Sequence, residues 1–303
     1  MMKVVVTGAT GLLGRSLMRT LDGAVGFEVV GSGFSRARGG IIRLDLEDED
    51  SVARFLDQEK PDAIVHAAAE RRPDAVEKAP ESAERLNVGA SERIARLAAK
   101  RNCRVLYIST DYVFDGTNPP YGPDSPVNPL NAYGRMKLAG ERAVVSSGAP
   151  WAILRIPILY GAVERLDESP VTEIAAKLAA DAVRGEKTRV EDWAMRYPAH
   201  ADDVARAILA LLETGRGGRA EGTGIFHFAA AEAMTKYGMA LVIAQVLGIV
   251  GNQVVPDPAP PPGAPRPKDC GLDGSRLAGL GYSPRIAFSE GVRAAISPFF
   301  LKE

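Results

Sequence analysis

The chain has 303 residues, 46% of them hydrophobic and 25% charged, with 37 basic and 38 acidic side chains and a formal charge of -1. That is ordinary globular composition, long enough for one large domain or two closely joined ones, with no net field to attract nucleic acid or an anionic membrane. No stretch reaches the roughly 20 apolar residues that span a bilayer, and two cysteines, Cys103 and Cys270, make no disulfide framework and point to a reducing cytosol.

Residues 3–7 form a short β-branched run, the pattern of a buried parallel strand, and they leave no room for a signal peptide. Gly8, Gly11 and Gly14 then turn the chain into a helix that reaches about Leu21. Strands are predicted over residues 27–31, 63–66, 104–109 and 151–155, with helices over 81–100 and from Asn131 to about Val145. A loop rich in Asp, Gly and Pro covers residues 111–129. Strands alternating with helices imply a doubly wound parallel sheet with right-handed crossovers. After Ile156 the rhythm breaks. Helices are predicted over residues 169–184, 202–213 and 235–247, the last opened by Thr235 as N-cap, with a strand over 224–228. Residues 256–267 hold seven prolines and read as an extended connector. The expectation is an α/β protein: a Rossmann-type dinucleotide domain over 1–155, with 201–215 packing back onto it, and a smaller mixed lobe over 156–303.

The glycine turn sits between a strand and a helix, which is the context a dinucleotide needs. Glycines allow a pyrophosphate close approach, and the helix start offers free amides. After the second strand comes Gly33-Phe34-Ser35-Arg36-Ala37-Arg38. An NAD-specific protein places an acidic residue there for the ribose hydroxyls. Two arginines suit a 2′-phosphate instead, so the expected cofactor is NADP(H), with Arg36 the better candidate and Arg38 the weaker. Asp45 and Leu46 follow the next apolar run, where the chain should pass the adenine. Beyond His66, itself read as a packed strand residue, small side chains at Ala67 to Ala69 would let the cofactor lie against the backbone.

Tyr133 and Lys137 are four residues apart on a helix and share a face. A neighbouring ammonium and a positive nicotinamide ring can lower a tyrosine pKa, so the phenol can exchange a proton with a carbonyl or alcohol. Thr110, ending its strand, could hydrogen-bond the same oxygen. The three histidines, His66, His200 and His227, are too scattered for a metal site.

On these residues the chain resembles the extended short-chain dehydrogenases/reductases over essentially its whole length. The stretch from Ile108 through Phe114 to Gly116, followed by Pro129-Leu130-Asn131-Ala132-Tyr133-Gly134, is similar to the dTDP-4-dehydrorhamnose reductase branch. The strings at residues 33–38, 68–74, 116–121, 155–161 and 234–237 are most similar to the regulatory β subunits of methionine adenosyltransferase. The resemblance implies cofactor contacts at Thr10, Gly11, Leu12, Leu13, Phe34, Ser35, Arg36, Asp45, Leu46, Ala67, Arg71, Tyr133, Lys137 and Leu159. It also implies either a methionine adenosyltransferase catalytic subunit as partner, with a role in S-adenosylmethionine synthesis, or a 4-keto sugar nucleotide as substrate. The sequence departs from the reductases where they carry Trp and it has Ile156-Pro157-Ile158-Leu159-Tyr160. It departs from the regulatory subunits in stopping at Glu303 without their C-terminal tail. A partner would therefore be expected to meet the body of the lobe, at residues 256–267 or at Phe299, Phe300 and Leu301, although those last side chains equally suit a core that caps the final helix. The Thr110, Tyr133 and Lys137 set does not discriminate the two readings, because the regulatory subunits also retain Tyr and Lys.

Overall fold

The structure, a computed structural model, describes residues 1–216, 220–250 and 253–301. The first strand, β1 (Met2–Thr7), places Val4 and Val6 against one layer and Val5 against the other, all three fully buried. This is the period-two alternation of a strand covered on both faces. Helix α1 (Leu12–Asp22) buries Leu13, Leu17 and Leu21 at helical spacing on the Val4/Val6 face. Then follow β2 (Phe27–Gly33), the short β3 (Ile42–Arg43), α2 (Glu49–Glu59) and β4 (Ala63–His66).

After α3 (Pro73–Lys78), the helix predicted over residues 81–100 is present from Pro80 to Ala99, interrupted only by a wider π turn: α4 (Pro80–Glu84), the π turn over Arg85–Gly89 and α5 (Ala90–Ala99). Within that wider turn lies Asn87, which is buried. Its Oδ1 accepts from the Glu70 amide at 2.8 Å and its Nδ2 donates to the Glu70 carbonyl at 3.0 Å. Such single π turns accompany a specific side-chain placement. The rest of this half is β5 (Arg104–Thr110), α6 (Ala132–Ser146) and β6 (Trp151–Ile156).

The second half contributes β7 (Leu159–Tyr160), α7 (Pro170–Arg184), β8 (Thr188–Glu191), β9 (Ala199–His200), α8 (Ala201–Thr214), β10 (Gly224–His227), α9 (Lys236–Leu247), β11 (Val254–Asp257), α10 (Ser275–Ala278) and α11 (Phe288–Phe300). The main sheet has seven strands, all parallel, in the order β10-β6-β5-β4-β1-β2-β3. The chain leaves β1 in one direction through β2 and β3, then returns to β4 and runs the other way. The switch point between β1 and β4 opens a crevice at their carboxyl ends. Helix α8 buries Val204, Ile208 and Leu211 in the same core as α1, and β10 adds the seventh strand from the second half of the chain. A separate core joins α7, α9 and α11 through Leu178, Ile243, Phe288, Val292 and Ile296.

The proline-rich segment is less free than a connector. Its first residues pair with β8, the Pro265 carbonyl accepts from Asn131 Nδ2 at 2.8 Å, and Arg266 pairs with Asp74 at 2.5 Å. Among the described residues no helix is long and apolar enough to cross a membrane.

One buried ion pair ties the centre together. Arg155, ending β6, donates from Nε and Nη2 to the two oxygens of Glu141 on α6 at 2.9 and 2.7 Å, and the Ser109 hydroxyl donates to the same carboxylate. Both charged side chains are about 3–4% exposed, and Arg155 Nη1 lies 3.3 Å from His227 Nε2. Removing one partner from such a pair leaves an uncompensated buried charge and costs about 3–5 kcal/mol. Glu141→Leu should lose that much in urea denaturation; a loss below about 1 kcal/mol would show that the pair does not hold the layers together.

His66 and His227 are buried and their pKa values fall to about 3 and about 4, in each case chiefly because burial penalises the charged ring, helped by the charge of Lys137 or Arg155. The unfolded chain therefore takes up protons first. Stability is complete above the ordinary histidine pKa, about 6.5, and is lost as pH falls through the folded values. Denaturation at pH 7 and pH 5 should differ by about 2 kcal/mol per histidine; equal stabilities would refute it.

Candidate active site

The glycine turn is closed by contact rather than by hydrogen-bonding side chains. Gly8 has φ +70°, and a Cβ there would meet the Ala68 backbone at 2.9 Å. A Cβ on Gly14 would meet the Gly8 carbonyl oxygen at 2.1 Å, so α1 can start this close to β1 only with glycine at both positions. Gly11 is the N-cap of α1 and supplies no side-chain acceptor, which leaves the first-turn amides available for an external anion.

A cavity of about 640 Å³ lies at the carboxyl ends of β1, β4, β5 and β6. It gathers Gly8, Gly11, Leu12, Leu13, Gly14, Arg36, Ala67, Arg71, Thr110, Tyr133, Lys137 and Leu159 from the positions singled out in the sequence. Thr10, Phe34, Ser35, Asp45 and Leu46 do not line it. Thr10 packs beside Gly33. Phe34 is half exposed, with the Arg43 guanidinium 5.4 Å from its ring centre. Leu46 is buried in the core under α2 and α5, and Asp45 accepts from the Glu47 amide at 2.9 Å.

Two close approaches bring the polar groups together. Asn131 caps α6, accepting from the Gly134 amide at 2.8 Å. A Cβ on Gly134 would lie 2.2 Å from the Tyr112 carbonyl oxygen, so this glycine lets α6 reach the end of β5 and sets Tyr133 beside Thr110. Tyr133 and Tyr112 meet edge-on at 6.2 Å, and the Thr110 hydroxyl donates to Asp111 Oδ1 at 3.0 Å. One turn on, the Lys137 ammonium sits 4.0 Å from the centre of the Tyr107 ring and is 3% exposed.

Burial decides how these groups titrate. The Lys137 pKa falls to about 7 because burial penalises the ammonium, and the Glu141 charge offsets only part of that. Asp111 rises to about 6 by burial, against the opposing pull of Arg196 and the Thr110 hydrogen bond. The Tyr133 phenol is pushed up rather than down: burial dominates, hydrogen bonding with Thr110 opposes it, and Asp111 and Tyr112 add to it. The lowering expected from a neighbouring ammonium does not prevail: Lys137 lies over the Tyr107 ring, and the Arg71 charge, which does pull the phenol down, is outweighed by burial.

The cavity also holds groups that sequence spacing did not reveal: Asp111, Glu168, Glu173, Arg196, Lys236 and Arg266. Asp111 adjoins Thr110 and could have been noticed. The others come from the second half, where no motif connects them to the glycine turn. Arg36 and Arg38 are both engaged by carboxylates of residues 161–169, Arg36 by Glu168 and Arg38 by Glu164. Among the described residues no group of three or more His, Cys, Asp or Glu could hold a metal ion.

The RmlD substrate binding domain family matches residues 2–300. The chain is 42% identical over 300 residues to the methionine adenosyltransferase 2 subunit beta of Mus musculus, covering 99% of this chain and 88% of that protein. A solved dTDP-4-dehydrorhamnose reductase from Clostridium acetobutylicum superposes with TM-score 0.83 at 26% identity, covering 98% of this chain and 99% of that one. Another from Bacillus anthracis, in complex with NADP, superposes with TM-score 0.82 at 23% identity over 98% and 99% of the two chains, a likeness of fold.

The Lys137 shift gives a direct test. With reductively methylated ¹³C-lysines, one resonance should titrate near pH 7 and vanish in Lys137→Met. Titration of every lysine above about pH 9, in the ordinary range, would contradict burial as the controlling influence.

Proposed function

The chain belongs to the RmlD substrate binding domain family, and we propose that it binds NADP(H) and serves as a regulatory subunit of a methionine adenosyltransferase. The observation that carries the second part is 42% identity to a methionine adenosyltransferase 2 subunit beta across 99% of this chain. The first part rests on the cradle itself. The Gly8–Gly14 turn closes too tightly for side chains, the α1 amides lack a side-chain acceptor, and Arg36 stands beyond β2 with no acidic residue at the strand end. Buried Cys103 and Cys270, both unpaired, agree with a reducing cytoplasmic setting.

A second reading is kept because a specific feature favours it. Thr110, Tyr133 and Lys137 line one cavity, as an NADP-dependent reductase of a 4-keto sugar nucleotide would require. In that reading a bound reduced nicotinamide would supply the hydride. Tyr133 donates its phenolic proton to the substrate oxygen, Thr110 hydrogen-bonds the same oxygen, and the charge that favours the phenolate left behind comes from the cationic groups of the cavity, Arg71 among them. The phenol's raised pKa makes it a reluctant acid unless that charge is supplied.

Three outcomes follow. Co-elution with a methionine adenosyltransferase catalytic subunit on a sizing column should occur at micromolar concentrations, and Tyr133→Phe should co-elute as well as wild type, because docking needs the fold and not proton transfer; no complex with or without NADP would end the regulatory reading. NADP⁺ should bind more tightly than NAD⁺ in calorimetric titration, and Arg36→Ala should erode that preference by about tenfold, the worth of one charge-assisted phosphate contact; equal wild-type affinities would refute the preference. If dTDP-4-keto sugars support NADPH oxidation, Tyr133→Phe should slow it by roughly 10²–10⁴-fold; no wild-type turnover would remove the reductase reading.

A further inference from the structure

Residues 161–169, between β7 and α7, bind the cofactor half through an unusual concentration of arginines. Glu168 is 7% exposed, and its Oε2 accepts from Arg15 Nη2 at 2.6 Å and from the Glu164 amide at 3.0 Å. Its Oε1 accepts from Arg36 Nη1, and from Arg15 Nη1 at 3.4 Å. Glu164 takes Arg38 at 2.5 Å, and Arg71 Nη2 donates to the Glu168 and Asp167 carbonyls at 2.7 and 3.3 Å. The carboxylate stays ionised: burial would raise its pKa, but hydrogen bonds from Arg15, the Glu164 amide and Arg36 bring it below the ordinary value.

The two ends of the Arg36–Glu168 pair differ in freedom. Glu168 precedes Ser169, which is fully buried, caps α7 through the Val171 amide and donates to the Leu159 carbonyl at 2.7 Å. Arg15 holds the same carboxylate independently. Arg36 is 39% exposed and reaches in from the end of β2. The fixed member is therefore the acid, and the movable member is the arginine.

We propose that Glu168 is a specificity-determining residue that competes with the 2′-phosphate of NADP(H) for Arg36. The proposal rests on the nicotinamide dinucleotide reading above. A 2′-phosphate on Arg36 must either displace the guanidinium from Glu168 or share it, and sharing sets two anions around one cation. NAD(H), with a free 2′-hydroxyl, meets neither cost. The wild-type preference for NADP(H) is thus narrower than Arg36 alone would produce, a case of specificity set by an opposing charge. Because Glu168 adjoins the first turn of α7, phosphate binding also alters what holds the second lobe to the glycine turn.

Titrating NADP⁺ and NAD⁺ against the same protein isolates the 2′-phosphate. In low salt, Glu168→Gln should tighten NADP⁺ by about tenfold and change NAD⁺ by less than about twofold, the scale of one partly buried charge–charge contact. In an Arg36→Ala background the same substitution should give no gain for NADP⁺. Equal changes for both cofactors, or weaker NADP⁺ binding by a Glu168→Gln protein whose circular dichroism and melting midpoint match wild type, would overturn the proposal. Should Glu168→Gln fail to fold, Glu168→Asp withdraws the carboxylate by one methylene and should tighten NADP⁺ selectively to a smaller extent; no selective gain there overturns it equally. A wild type that binds neither cofactor overturns the dinucleotide reading, and this proposal with it.

Discussion

The start of α1 against the end of β1 is the contact on which the rest depends. A Cβ at Gly14 would stand 2.1 Å from the Gly8 carbonyl, and one at Gly8 would stand 2.9 Å from the backbone after β4. Three pieces of backbone meet there without side chains between them. That approach lets α1 lay Leu13, Leu17 and Leu21 on the sheet, where α8 shares the same core. It also leaves the first-turn amides of α1 at the sheet's switch point, on the wall of the cavity.

A second close approach, Gly134 against the Tyr112 carbonyl, does for the polar side what the first does for the anion side. Together they bring Tyr133, Lys137 and Asp111 to the wall of one cavity, with Lys137 and Asp111 buried and Tyr133 partly so. Each is driven toward its neutral form: the lysine down to about 7, the aspartate up to about 6, the phenol up. The sense of the linkage is unfavourable to the fold at neutral pH. Lys137, depressed, contributes its full stability only above its unfolded pKa, while Asp111, raised, contributes only below its own. Shifted titration alone does not single out this place, since buried His66 and His227 are shifted too; what sets these three apart is that they line one cavity.

The two halves of the molecule are joined across this cavity by charge as well as by the sheet. Arg15, Arg36, Arg38 and Arg71 from the first half meet Glu164, Glu168 and backbone carbonyls from the second. Arg15, Arg36 and Arg71 thus hold residues 161–169 to the first half, so a ligand that drew on Arg36 would, under the proposal above, be coupled to the attachment of that segment. A protein working through a partner could use such coupling as readily as an enzyme could.

Features that depend on near neighbours could be read from the chain alone. Strand, glycine turn and helix succeed one another within residues 2–22, and the parallel sheet follows from apolar runs alternating with helical periodicity, so the α/β fold was legible. Tyr133 and Lys137 share a face because a helix repeats every 3.6 residues, whatever surrounds it. Tertiary structure decided what depends on residues far apart. Glu168 meets Arg36 across 132 positions, a pairing that no local pattern encodes. The proline-rich segment looked unattached until Asp74 and Asn131 were brought to it. The direction of the Tyr133 shift also lay outside the sequence: a nearby lysine argues for a lower pKa, and burial, which only packing creates, reverses it. Local periodicity needs only the chain; desolvation and long-range ion pairs need the fold.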